Sequence, residues 1–128
     1  MREPYWINEK IAMAIHDDQI TQHGGSPGIR NDNFLLASLA RPQHLLNYGE
    51  PSIFELAAAY GYALTKNHPF IDGNKRTAFA VMATFLELNG YSLEVANQEV
   101  VMMMEGVAID RESQDSLAMW LEENCVSH

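Results

Sequence analysis

Residues 68–76 have the sequence His68-Pro69-Phe70-Ile71-Asp72-Gly73-Asn74-Lys75-Arg76, and they determine both the fold and the chemistry expected of this chain. Pro69 disfavours helical geometry at His68, so we expect an extended loop there, pinned to the core by Phe70. Gly73 allows a tight turn. Residues 77–88 are almost wholly apolar, which predicts a buried helix. The stretch is therefore expected to be a loop that leads directly into a central helix.

The start of that helix carries groups that bind phosphate. The first N–H groups of a helix have no intrahelical partner, so those of Gly73, Asn74 and Lys75 are predicted to form an anion site. Lys75 and Arg76 add positive charge, and a guanidinium suits forked contact with phosphate oxygens. Asp72 is a hard oxygen ligand of the kind that Mg²⁺ takes alongside substrate phosphates. The predicted site would thus hold a nucleotide such as ATP with Mg²⁺.

Each of these residues also has an ordinary structural interpretation. Asp-Gly-Asn is a common turn, and Lys-Arg is a common solvated start to a helix. A single histidine before a proline is usually a loop residue. In this combination, however, His68 is a candidate general base, because an unperturbed imidazole titrates near neutrality. The combination favours an active site over a chance arrangement.

Composition limits the possible partners and the setting. The net charge of −9 disfavours nucleic acids and anionic membranes as direct partners. Of eight Lys and Arg residues, three (Lys66, Lys75 and Arg76) lie within eleven positions of each other, and we expect them to gather at the helix start. The single Cys125 has no partner for an internal disulfide, which fits a reducing cytoplasm.

Hydrophobic periodicity predicts an all-α protein organised as one domain over residues 1–128. A first helix carries the stripe Ile7, Ile11 and Ile15 and ends at Gly24-Gly25. The other predicted helices cover residues 33–40, 54–66, 73–89, 97–105 and 113–124. A capping box at Ser52-Ile53-Phe54-Glu55 is expected to begin the third helix. Pro42 and Pro51 are expected to bracket a connection, and Tyr91-Ser92-Leu93 to form a short extended piece. The N-terminus has no apolar signal core, and the apolar run at 78–86 is too short to span a bilayer.

Several other polar residues have two possible roles. His16, beside Asp17 and Asp18, suggests a metal site, but adjacent residues of a helix point in different directions, so a solvated face is expected. His23 and His44 are interpreted as surface or loop histidines. Arg30 follows a Pro-Gly turn and either neutralises phosphate or braces the loop.

The full stretch 68–76 resembles the signature of the Fic/Doc family, and in particular of its Doc (death-on-curing) branch: His-x-Phe-x-Asp-(Gly/Ala)-Asn-Lys-Arg. Every fixed position is present. Residues 24–30, 41–43 and 49–51 also resemble Doc-like proteins, so that the resemblance covers roughly residues 7–123. It implies a compact fold of six helices with the central helix directly after the motif loop.

The resemblance also bears on the reaction. AMP-transferring Fic enzymes are similar to His-Pro-Phe-x-x-Gly-Asn-Gly-Arg-x-x-Arg, and this chain departs from that pattern twice. Lys75 replaces the glycine after Asn74, and Phe79 replaces the second arginine. A lysine there crowds the track of the β- and γ-phosphates. Doc-type proteins share both changes, which implies a reversed ATP and transfer of a phosphoryl group. AMP transfer with the same residues, or an inert protein-binding module, are the alternatives.

The partners follow from the resemblance alone. Doc-type toxins are implied to modify a threonine of elongation factor Tu and so arrest translation. A self-inhibitory motif, Ser/Thr-x-x-x-Glu-(Gly/Asn), is not evident: Glu105-Gly106 matches its end, but Val101 occupies the Ser/Thr position. Control by a separate antitoxin protein is therefore implied.

Overall fold

Six helices and one pair of short strands make up the architecture. The computed structural model describes residues 3–128. The elements are α1 (Glu9–His23), α2 (Asp32–Asn47), α3 (Ile53–Asn67), α4 (Asn74–Leu88), β1 (Tyr91–Leu93), α5 (Asn97–Ala108), α6 (Gln114–Glu123) and β2 (Cys125–Ser127). The two strands pair antiparallel. The predicted all-α, six-helix fold is confirmed, with the extended piece at Tyr91 present as β1. Within residues 3–128, no helix is sufficiently long and apolar to cross a membrane.

The centre of the protein is the contact between α3 and α4. Ala57, Ala58 and Ala59 of α3 are completely buried, and their small side chains let the neighbouring helices α2, α4 and α6 pack closely around α3. At Gly61 a Cβ atom would overlap the thioether of Met82 on α4. The buried side chains of α4 are Asn74, Thr77, Ala78, Val81, Met82, Phe85 and Leu86. The predicted central helix is thus confirmed, and α3 shares its central position.

Side-chain caps fix most of the helix starts. Asn8 and Asn31 accept N–H groups of α1 and α2, respectively. The predicted capping box at α3 is present, since Ser52 and Glu55 each accept the other's N–H group. Ile7 is buried but precedes the Asn8 cap, so only Ile11 and Ile15 of the predicted stripe lie within α1.

The prediction that Pro42 begins a connection is wrong. α2 continues through this proline to Asn47, and Pro42 is buried. A proline within a helix loses one hydrogen bond and strains the preceding turn. Continuing the helix nevertheless lets Leu45 and Leu46 pack against the core, which offsets that cost.

The predicted end of α5 at Gly106 is also wrong, because the helix continues to Ala108. Gly106 allows the residues that follow α5 to pack closely against the helix. A Cβ there would lie 2.7 Å from Cγ of Glu112, and the Gly106 carbonyl accepts the N–H groups of Arg111 and Glu112. The glycine therefore accommodates the turn between α5 and α6 and does not end the helix.

Candidate active site

Two loops meet at the N-terminal end of α4. Residues 24–31, between α1 and α2, run antiparallel to residues 68–73, between α3 and α4. Ile29 and Phe70 form an isolated β-bridge, Arg30 N donates to the Pro69 carbonyl over 2.7 Å, and Ile71 N donates to the Gly28 carbonyl over 3.1 Å. Phe70 is buried, as its proposed anchoring role requires. The two loops form one hydrogen-bonded unit.

Arg30 braces this unit. Its Nε donates to the His68 carbonyl over 2.6 Å, and its Nη2 donates to the Asn67 carbonyl over 2.8 Å. These carbonyls lie at the C-terminal end of α3, where a cation is favoured by the helix dipole. Of the two roles open to Arg30, the structure therefore shows the bracing role.

His68 occupies the C-cap of α3 in a left-handed conformation, with φ 47° and ψ 57°. The expectation of an extended backbone here is wrong, although Pro69 does keep His68 out of right-handed helical geometry. The side chain is exposed. Its Nδ1 lies 3.4 Å from Asn74 Nδ2, which is long for a hydrogen bond. A left-handed conformation is uncommon for a residue with a side chain, and such strain is frequent at functional sites.

Asn74 holds the motif loop closed. Its Oδ1 accepts from Phe70 N over 2.9 Å, and its Nδ2 donates to the Phe70 carbonyl over the same distance. The side chain is 7% exposed. Its amide is thus occupied within the loop, so the contribution of Asn74 to an anion site would come from its backbone N–H.

The carboxylate of Asp72 joins the two loops. Oδ2 accepts from Ser26 N over 3.1 Å, and Oδ1 accepts from Gly73 N over 2.8 Å. These two hydrogen bonds, in that order, hold the pKa of Asp72 below its ordinary value, and the nearby Arg76 charge acts in the same direction. A Cβ at Gly25 would lie 2.7 Å from Asp72 Oδ2. Only glycine lets the loop approach this closely.

Asp72 suits a magnesium ion because it presents an exposed, ionised pair of hard oxygen atoms at the edge of the site. Mg²⁺ is usually held by one or two carboxylates together with substrate phosphates and water. Among residues 3–128, no group of three or more His, Cys, Asp or Glu side chains is arranged to hold a metal ion.

His16 is the main residue that the sequence interpretation missed. It was expected on a solvated face, but it is 2% exposed. Its ring stacks on Phe70 with centroids 4.0 Å apart and planes 5° apart, and its Nε2 lies 2.9 Å from the Asp72 carbonyl oxygen. One pattern in the sequence could have revealed this burial. His16 lies four residues after Ala12 and four before Ile20, which places the three on one face of α1.

The first turn of α4 is open. Its N-cap, Gly73, has φ 73° and supplies no side-chain cap. Gly73 N is bonded to Asp72, whereas within residues 3–128 no acceptor bonds the N–H groups of Asn74, Lys75 and Arg76. Lys75 and Arg76 are exposed beside them. The turn therefore offers three backbone donors and two cations to a ligand.

Lys66 does not belong to this group, which corrects the expectation that three cations gather here. Its Nζ lies 2.6 Å from Asp110 Oδ1 and donates to the Ala108 carbonyl over 3.2 Å. Lys66 thus ties the end of α3 to the end of α5, so the positive charge at the site comes from Lys75 and Arg76.

All the predicted site residues line one cleft of about 880 Å³, and most of its apolar lining lies beyond the first turn of α4. The motif contributes His68, Asp72, Gly73, Asn74, Lys75 and Arg76 to the lining. Further along, α4 contributes Phe79, Ala83 and Thr84 to the lining, and α5 contributes Val100, Val101 and Met104 together with the polar residues Asn97 and Glu105. His23, interpreted as a surface residue, also contributes to the lining. A ligand with an anionic part and a flat apolar part fits this division.

Comparison with known proteins identifies the family of this chain. A model of the Fic/DOC family matches residues 6–86. "Protein kinase doc" of Escherichia phage P1 is 33% identical over 113 residues, which are 88% of this chain and 89% of that protein. "Toxin Doc" of Mycolicibacterium smegmatis (strain ATCC 700084 / mc(2)155) is 44% identical over 73 residues, which are 55% of each chain. This chain belongs to the Fic/DOC family, in its Doc branch.

Proposed function

We propose that this Doc-type toxin transfers the γ-phosphoryl group of ATP to a Ser or Thr hydroxyl of a target protein. The observation that supports this most directly is the open first turn of α4. Among the residues that the structure describes, no acceptor bonds the N–H groups of Asn74, Lys75 and Arg76, and the exposed side chains of His68, Lys75 and Arg76 line the same cleft. In phosphoryl transfer, positioning and charge stabilisation supply most of the catalysis.

His68 acts as the general base in this mechanism. Asn74 Nδ2 is a donor, and at 3.4 Å from Nδ1 it is too distant to fix the tautomer. The neutral ring acts as the base in the tautomer that carries its proton on Nδ1 and leaves Nε2 free to accept one. As the hydroxyl oxygen of the target attacks the γ-phosphorus, its proton passes to Nε2. The bond between the γ-phosphorus and the β,γ-bridging oxygen breaks, and its electron pair leaves with ADP.

The first turn of α4 stabilises the transferring group. Backbone N–H groups of Asn74, Lys75 and Arg76 donate to its oxygens, and the two cationic side chains balance the charge. Asp72 would hold Mg²⁺, which supplies charge neutralisation of the nucleotide phosphates. The part of the cleft lined by apolar residues such as Phe79 and Met104 would receive the nucleotide base.

The orientation of ATP decides between this reaction and AMP transfer. The test incubates the protein with a target and with ATP labelled in either the γ- or the α-phosphate, and elongation factor Tu is the first target to try. Phosphoryl transfer adds the γ-label and the mass of one phosphate. Transfer of the α-label, with a whole nucleotide added, would replace the proposal by AMP transfer.

Lys75 is expected to select the orientation. Its side chain lies at the first turn of α4, where it crowds the β- and γ-phosphates of the AMP-transferring orientation. Lys75→Gly should therefore lose most phosphoryl transfer, with any gained AMP transfer limited by Phe79. Lys10→Gly, which changes an exposed lysine on α1, controls for loss of charge. Phosphoryl transfer by Lys75→Gly at the wild-type rate contradicts the assignment.

The partner that restrains this activity is proposed to be an antitoxin, whose amphipathic segment would bind beside the active site. The acidic chain, with a net charge of −9, favours a basic segment by electrostatic steering. We expect the complex to be inactive, with protection from hydrogen exchange near residues 24–30 and 68–76. Protection confined to α5 and α6 would exclude occlusion of the site.

A further inference from the structure

His16 is buried next to the motif loop without belonging to it. It lies 56 positions from Asp72 in the chain, yet its Nε2 is 2.9 Å from the Asp72 carbonyl oxygen. A carbonyl oxygen only accepts hydrogen bonds, so Nε2 must be the donor and must carry the proton. The ring is held in this orientation by its parallel stack on Phe70.

The carbonyl of Asp72 and the N–H of Gly73 belong to one planar peptide group and point in opposite directions. His16 binds the carbonyl side of this group. On the other side, Gly73 N donates to Asp72 Oδ1 over 2.8 Å. The orientation of the carboxylate is thus connected to His16 through a single rigid unit.

This peptide group needs such an anchor. Gly73 has φ 73°, and glycine occupies positive and negative φ about equally well. A rotation of the group between Asp72 and Gly73 would therefore meet little steric resistance at Gly73. It would turn the N–H away from the Asp72 carboxylate, leaving Ser26 N as the remaining backbone donor to it.

We infer that His16 is a positioning residue that fixes the peptide between Asp72 and Gly73 and so holds the Asp72 carboxylate ready for a nucleotide-bound divalent cation. The inference rests on the proposed function for the identity of that ligand. A partner that orients a metal ligand typically contributes about 10- to 100-fold in affinity or activity, and the loss of the His16 donor should fall in this range.

Two substitutions separate the donor from the packing. His16→Gln and His16→Met have side chains of similar length and both lose the stack on Phe70, but only glutamine retains a donor. Titration of Mg²⁺ with a non-hydrolysable ATP analogue, followed by calorimetry, should give affinity within a few fold of wild type for His16→Gln and about 10- to 100-fold weaker for His16→Met. The same pair at His44, an exposed residue of α2, should leave affinity unchanged.

A second measurement does not depend on the nucleotide. Nitrogen NMR of the wild-type protein should show the His16 proton on Nε2, and amide exchange at Gly73 should be faster in His16→Met than in His16→Gln. These results would support the inference even if no phosphoryl transfer were observed, so the two proposals fail separately. Equal Gly73 exchange in both variants, or a neutral ring with its proton on Nδ1 alone, would overturn the inference. Where wild type binds Mg²⁺ with the ATP analogue, equal affinity of the two variants would also overturn it.

Discussion

The two central helices, α3 and α4, begin in opposite ways. At α3 the Ser52 hydroxyl accepts a hydrogen bond from Glu55 N, and the Glu55 carboxylate accepts one from Ser52 N, each over 3.1 Å. At α4 the cap is Gly73, which supplies no side chain. Both helices are largely buried, so the difference is confined to the first turn. One start is closed by its own residues, whereas the other leaves donors for a ligand.

The open start is stabilised by contacts that leave its backbone donors free. Asn74 closes the loop that precedes it, His16 anchors the peptide before Gly73, and Arg30 fixes the end of α3. Thus the stabilising contacts come from the Asn74 side chain and from neighbouring segments, and among the residues that the structure describes none of them uses the N–H groups of Asn74, Lys75 and Arg76. Substitutions at the closed start should affect stability alone, whereas those at the open start should affect activity.

The largest effect on transfer is expected at His68. Its side chain is exposed and makes no short hydrogen bond at either helix start. His68→Ala should reduce transfer by about 10²- to 10⁴-fold, the usual contribution of a general base. Thermal stability should hardly change because the side chain is exposed. His68→Gly should lose the same activity while relieving the left-handed backbone.

Initial rates of label transfer and calorimetric melting of both variants, beside His44→Ala as a control on an exposed histidine, test this prediction. A folded His68→Ala protein with the wild-type rate would remove His68 from the mechanism.

Asn74 should show that the open start combines stability with activity. Asn74→Ala leaves the N–H and carbonyl of buried Phe70 without their partners, at a cost of about 1–3 kcal/mol for each group. It should also lower transfer, because the loop that carries His68 and Asp72 loses its closure. Denaturant unfolding and transfer rates give both quantities.

The matched control is Asn89→Ala at the opposite end of α4, where Asn89 bonds the backbone of Tyr5 and Phe85. It should lower the free energy of unfolding without lowering transfer at a temperature where the protein is folded. If both variants lose transfer equally, the loop at Asn74 has no special role.

At the closed start, Ser52→Ala should cost about 1 kcal/mol of unfolding free energy, the usual value for loss of an N-cap. Transfer should be unchanged because this end of α3 is not part of the cleft. Denaturant unfolding gives the free energy, and the label assay gives the rate. A loss of transfer in a fully folded variant would contradict the separation between the two helix starts.

The sequence was sufficient to predict local features of both starts. The spacing of Ser52 and Glu55 identifies a capping box, and the glycine before Asn74 identifies an open turn, because these signals lie within one helical turn of the structure they specify. The grouping of His68, Asp72, Lys75 and Arg76 was predictable for the same reason.

Features that depend on distant residues were not predictable from the sequence pattern. His16 is buried because Phe70 and Asp72, more than fifty positions away, lie against it. Pro42 remains inside α2 because the residues beyond it gain burial against the core. Local propensity favours the other outcome in both cases, and tertiary contacts override it.

The smallest effect should be the dependence of the open start on pH. The N–H groups of Ser26 and Gly73 hold the folded-state pKa of Asp72 below its ordinary value of 3.8. A carboxyl group with a depressed pKa contributes stability above its unfolded-state pKa and loses it as pH falls through the folded-state pKa. Asp72 should therefore stabilise the loops fully at neutral pH and progressively less below about pH 4. Because the carboxylate is exposed, solvent screening keeps this contribution small.

Carbon NMR of the Asp72 carboxyl group should give a midpoint below 3.8, and the difference in melting temperature between wild type and Asp72→Asn should shrink as pH falls through that midpoint. A midpoint at or above 3.8 would show that the two N–H groups do not hold the carboxylate in solution, and the contact of residues 24–30 with the motif loop would then depend on the hydrogen bonds of Gly28 and Arg30.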